Sequence, residues 1–108
     1  MRHIIFGAAL VLAMAGTSAA QDQRADFNAL AAQEQTDPMG THLAMKALAQ
    51  TGYAPAIDRV GYHLRKGIGT QQDLEAARSW YMRAVDAGHP WSTASLARVE
   101  IELGHGDA

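Results

Sequence analysis

Residues Ala56–Trp91 read AIDRVGYHLRKGIGTQQDLEAARSWYMRAVDAGHPW, and the fold of the chain is decided in this stretch. Ile57, Val60, Gly61 and Leu64 fall at i, i+3, i+4 and i+7, so one helix carries them on one face. Gly61 inside that stripe costs about 1 kcal/mol of helix propensity relative to Ala, which suits a place where a neighbouring helix must come close. Gly67 and Gly69 end the helix and supply left-handed backbone for a loop. Asp73 is suited to cap a second helix, with Glu75 adding negative charge in its first turn. Leu74, Ala77, Tyr81, Ala84 and Val85 form the second stripe, with Ala76 and Trp80 beside it. Gly88 stops that helix, and Pro90 reads as the first residue of another.

The order of these residues resembles the Sel1-like repeat, a TPR-related helix–loop–helix unit. That family's pattern runs roughly A-x-x-x-L-G-x-x-Y-x-x-G-x-G, then D-x-x-x-A, W-Y-x-x-A and a closing G-x-x-x-A. It is met by Ala56, Val60-Gly61, Gly67-Ile68-Gly69, Asp73, Ala77, Trp80-Tyr81, Ala84 and Gly88. It departs at Leu64, where the family has Tyr, and at Ser92, where the next unit opens with Ala. The resemblance implies a short α-solenoid of antiparallel helix hairpins, with Trp80 and Tyr81 wedged between adjacent helices.

Working outward, Gly52 and Gly88 lie 36 residues apart, as do Ala56 and Ser92, Val60 and Leu96, and Gly61 and Ala97. A fixed offset of this size is the mark of a helical-pair repeat. Asp37 stands at the same offset before Asp73. Asp37–Thr51 is therefore expected as the second helix of an earlier, degenerate unit, with Asp37 as cap, Pro38 in the first turn and a stripe of Met39, Leu43, Ala47 and Leu48. Phe27, Leu30 and Ala31 predict a helix from about Asp26 to Gln35, after a polar, frayed Gln21–Arg24. On the other side, Leu96, Val99 and Leu103 predict a helix over Pro90–Leu103, which Glu100 and Glu102 mark as partly solvated. The expectation is thus about five helices and no strands: 26–52 a degenerate first unit, 53–88 the best-matched unit, 89–103 a partial third, and 104–108 a glycine-rich tail.

Met1–Ala20 reads as a signal peptide. Arg2 supplies positive charge, Ile4–Ala15 an apolar run, and Ser18-Ala19-Ala20 small residues before a cleavage site preceding Gln21. The run is shorter than the ~20 residues a membrane span needs, although an uncleaved anchor is the alternative. No cysteine follows it, which excludes a lipoprotein anchor, and a chain without cysteine has no disulfides. The periplasm or the medium is the expected destination, with no stable membrane span once the leader is gone.

The chain carries 9 basic and 11 acidic side chains, a net charge of −2. Loss of Arg2 with the leader leaves 8 basic side chains and makes residues 21–108 slightly more acidic, with both signs interspersed. That argues against nucleic acid, which requires a clustered basic face, and against electrostatic holding at a membrane surface. A domain so short buries a limited share of its surface, so it is expected to be marginal unless its helices pack well or a partner, a second copy being one option, covers an open end.

Residue by residue, catalytic chemistry is not found. His42, His63, His89 and His105 fall on separate elements, without a paired ligand spacing, and no metal site is expected. There is no cysteine and no GxSxG, and Ser79, Ser92 and Ser95 begin no SxxK. Gly67-Ile68-Gly69 lacks the preceding strand and the GK[ST] of a phosphate loop, so no cofactor is expected there. Asp73 and Glu75 are accounted for by capping, and the Gly-His-Pro of residues 88–90 by a turn.

What remains is a surface. If Ile57, Val60, Gly61 and Leu64 face the core, then Asp58, Arg59, Tyr62, His63 and Lys66 point away from it. Tyr and Arg are enriched where proteins bind one another. Tyr62 as anchor, with Arg59 and Lys66 reading acidic groups and His63 beside them, is the expected partner-binding face; ordinary surface residues are the alternative. The resemblance implies a protein–protein interaction module, an adaptor or regulatory partner in the bacterial cell envelope, without catalysis. A cell-wall-related enzyme or β-lactam-binding protein is the competing reading, which stoichiometric β-lactam acylation would reveal. A truncated repeat fragment is the third.

Overall fold

The computed structural model describes residues 19–105. Every regular element among them is a helix: α1, helical through residues 19–33, α2 (Pro38–Gln50), α3 (Ala54–Lys66), α4 (Leu74–Asp86) and α5 (Ser92–Glu102). Cross-contacts show that successive helices run antiparallel. Gln23 near the start of α1 donates to Thr51 just beyond α2, at 2.8 Å. His42 near the start of α2 meets His63 near the end of α3, and Arg78 near the start of α4 pairs with Glu100 near the end of α5.

The local signals act as read. Asp37 and Asp73 both cap, their Oδ1 atoms accepting from the N–H three residues on, in Gly40 at 3.1 Å and Ala76 at 3.0 Å. Such a bond is worth about 1 kcal/mol to a helix. Gly61 proves to be a close-approach residue: a Cβ there would lie 2.9 Å from the Tyr81 ring on α4. The Gly67–Asp73 loop does more than turn the chain. Gly69 sits so tightly on the first turn of α2 that a Cβ would come within 2.0 Å of the Pro38 carbonyl oxygen, and its φ is +70°.

The core lies in two clusters joined by half-buried Leu64. The larger holds Met45, Leu48, Ala49, Ala56, Ile57, Val60 and Ala84, with Phe27, Leu30, Tyr53 and Trp80 packed against it. The smaller is Ala77, Tyr81 and Val99, covered by Tyr62, Leu96 and Leu103.

Three expectations are corrected. Helix α1 already runs through residues 19–25, so Gln21–Arg24 is helical and not frayed, and the helix stops at residue 33 in place of Gln35. Its early turns are held by the Gln23–Thr51 bond and by Phe27, whose ring packs edge-on to Tyr53 at 6.0 Å between centroids. Of the expected leader, residues 1–18 lie outside the described residues, while Ala19 and Ala20 are helical. In α2 the expected stripe holds at Leu48 alone: Met39 and Leu43 are 66% and 64% exposed and Ala47 is exposed, while Thr41, His42, Met45 and Ala49 are buried beside Leu48. Apolar residues surround this helix on several sides, so periodicity does not select a face; the contacts of His42 and Met45 across to α3 do. Helix α5 begins at Ser92, after a turn that contains Pro90, and so Pro90 is not in its first turn. Glu100 and Glu102 are partly solvated, in line with expectation, and they also make ion pairs that sequence reasoning did not foresee. They tie α5 to Arg78 of α4 and to Arg65 of α3, the latter at 3.2 Å.

Among the described residues, one buried side-chain atom lacks a partner. Thr41 Oγ1 has no hydrogen bond although its side chain is 1% exposed. Replacing the hydroxyl with a methyl group of the same shape removes an unsatisfied polar atom. Thr41→Val is therefore expected to leave stability unchanged or raise it by up to about 1 kcal/mol, read from the urea midpoint.

Candidate functional site

Helices α3 and α5 lie on the same side of α4, and a cleft of about 280 Å³ opens between them. Asp58, Arg59, Tyr62 and Arg65 line it from α3, Ala94, Ser95 and Arg98 from α5; Tyr81 and Trp91 complete it. The arginine side chains stack on the aromatic one: the guanidinium of Arg59 lies 4.6 Å from the Tyr62 ring centroid, and that of Arg65 5.7 Å. Each such contact contributes about 0.5–1 kcal/mol at an exposed site. Trp91 is 72% exposed.

Of the residues expected on the binding face, Arg59 and Tyr62 are in this cleft. Lys66 is exposed at the end of α3 and does not line it. His63 is a correction, because it is fully buried and faces α1 and α2. Helix α3 is flanked by α2 and by α4 with α5, so less of it is solvent-facing than a single apolar stripe implies. The residues that sequence reasoning missed are Arg65, Trp91, Ser95 and Arg98. The 36-residue offset carries the signal for three cleft positions of α5: it places Ala94, Ser95 and Arg98 in register with Asp58, Arg59 and Tyr62.

Behind the cleft, Arg59 belongs to a second, partly buried constellation. Glu34 accepts from Arg59 Nε at 2.8 Å, from Arg59 Nη2 at 2.6 Å and from His63 Nε2 at 2.7 Å. The other ring nitrogen of His63 meets His42 Nδ1 at 3.0 Å. Burial pushes the Glu34 carboxyl upward, but the bonds and charges of Arg59 and His63 outweigh it and hold the group below the usual carboxylate range. Burial is the main cause that lowers His63, assisted by Arg59 and opposed by Glu34. His42 is lowered by burial, then by His63 and Lys46. Both rings are therefore neutral at pH 7. An ionised Glu34 cannot donate, so His63 carries its proton on Nε2 and leaves Nδ1 as an acceptor; His42 Nδ1–H must donate to it.

A third cluster pairs residue types familiar from hydrolases. Ser92 Oγ donates to Asp58 Oδ1 at 2.7 Å, and His89 Nδ1 lies 3.0 Å from the same Oγ and 3.7 Å from the carboxylate. The wiring is not that of a catalytic relay, in which one ring nitrogen serves the serine and the other the acid. Ser92 is also 0% exposed. The cluster fastens the α4–α5 turn to α3. Among the described residues no three His, Asp or Glu side chains converge to hold a metal ion, and no helix is long and apolar enough to cross a membrane.

No family model matches the chain, and no solved structure matches it. The chain is similar to the chitin synthase regulator SKT5 of Malassezia restricta, with 45% identity over 55 residues. The match covers 51% of this chain and 4% of that much longer protein.

Proposed function

We propose that the chain is a protein–protein interaction module. The observation that carries this reading is the α3–α5 cleft, where an exposed tryptophan, two tyrosines and three arginines line one concavity. These are the side chains over-represented at binding hot spots. In this reading the five helices are two and a half units of a short Sel1-like α-solenoid. The equivalent caps Asp37 and Asp73, and the register of Arg59 with Ser95 and Tyr62 with Arg98, support that arrangement. The partial relative is named as a regulator of an enzyme, which suits a chain that acts by docking. The reading includes export by residues 1–20 to the periplasm or beyond, an adaptor or regulatory role there, and no catalysis.

Affinity capture of the tagged protein from crosslinked envelope fractions tests it, with Trp91→Ala run in parallel. Trp91 is exposed, so its loss should leave helicity by circular dichroism unchanged while recovery of a reproducible partner falls about tenfold or more. Equal recovery by the variant removes the cleft from consideration. Recovery of the protein alone points to self-association and sinks the adaptor reading.

A further inference from the structure

We propose that the α3–α5 cleft takes an acidic peptide segment of a partner, one carboxylate on Arg98 and an apolar or aromatic side chain against Trp91. The inference rests on the interaction-module reading and names what its cleft accepts. The charges are unequally committed. Glu34 holds Arg59 from behind, and Glu102 engages Arg65 at 3.2 Å. Asp58, the single carboxylate lining the cleft, accepts from Ser92. Arg98 is exposed and forms no ion pair or hydrogen bond among the described residues. Of the three arginines lining the cleft, Arg98 is thus the one whose guanidinium has no ion-pair partner among the described residues, and a guanidinium matches a carboxylate in shape as well as sign.

Spacing defines the ligand further. Trp91, Ser95 and Arg98 stand at i, i+4 and i+7, on one side of α5 and its first turn. Seven residues of helix rise about 10 Å, which about three residues of extended peptide span. The favoured segment thus carries its acid about three residues from its apolar anchor. The rings do not compete for that anchor, since Tyr62 already carries the Arg59 guanidinium.

The test is calorimetric titration of the full chain with the amidated peptide Gly-Ser-Phe-Ser-Asp-Glu-Glu-Ser-Gly and with its Asn/Gln counterpart. The acidic peptide is expected to bind about tenfold tighter at low salt, with the difference shrinking as salt rises. Arg98→Glu should abolish the preference, whereas Trp91→Ala should weaken both peptides. Equal affinity for the two peptides, no binding of either, or a preference that survives Arg98→Glu overturns the proposal. A captured partner that needs Trp91 but not Arg98 keeps the module reading while refuting the acidic specificity.

Discussion

Tyr81→Ala is expected to destabilise the protein by about 3–5 kcal/mol, which approaches the whole stability of a domain this small. The tyrosine is 1% exposed and is the largest fully buried side chain among the described residues. It stands at the junction of three helices. Its ring fills the space left open by Gly61 of α3, it packs with Val99 of α5 in the smaller core cluster, and it lines the cleft. Truncation removes the ring from the place where α3, α4 and α5 meet, and the missing Cβ of Gly61 means that α3 has nothing to fill the void. Urea denaturation followed by circular dichroism reads the effect. A loss under 1 kcal/mol would mean that α3 and α4 close over the gap, and that Gly61 is not held by the ring.

Stability is also expected to fall with acidification, beginning near pH 6.5, through the buried pair His42–His63. Both rings have folded values below the ordinary histidine value of 6.5. The unfolded chain therefore binds protons that the folded one does not, and stability is lost as pH drops below 6.5. The folded geometry accommodates a single proton between the two facing Nδ1 atoms, and a second would make His63 cationic and set two N–H donors against each other 3.0 Å apart. Arg59 and Lys46 add positive charge from α3 and α2, and only Glu34 of the turn after α1 opposes it. With two groups titrating, the slope reaches at most about 2.7 kcal/mol per pH unit. Glu34 adds loss of the same sign at lower pH. Its folded value lies below the ordinary 4.5, so the stability it contributes above 4.5 is lost as pH falls through the folded value. Urea midpoints between pH 7.5 and 5 should drop for the wild-type chain and change much less for His42→Phe. Parallel curves would remove the pair as the source.

How much of this was legible beforehand depended on how local each signal is. The caps Asp37 and Asp73, the stops at Gly52, Gly67 and Gly88, and the buried arcs of α3 and α4 follow from residues within a few positions of one another. Gly61 was legible as a close approach because glycine in a helix interior needs a reason. The ion pairs of the α5 glutamates were not legible because their partners, Arg78 and Arg65, are more than twenty residues away. His63 looked exposed because it stands off the apolar stripe, and nothing near it in sequence announces Glu34 or His42.

The helices and the ends of α2, α3 and α4 were thus determined by the sequence itself, through capping bonds and left-handed glycines, which act over a turn or two of chain. Tertiary structure decided the rest: which face of α2 is buried, where His63 points, and that Arg98 and Trp91 join Arg59 and Tyr62 on one cleft. The physical reason is that an amphipathic pattern specifies an arc and not a neighbour. Where apolar residues are spread around a helix, or where a polar side chain finds its partner two helices away, the lowest free energy is set by what the other helices bring to that arc.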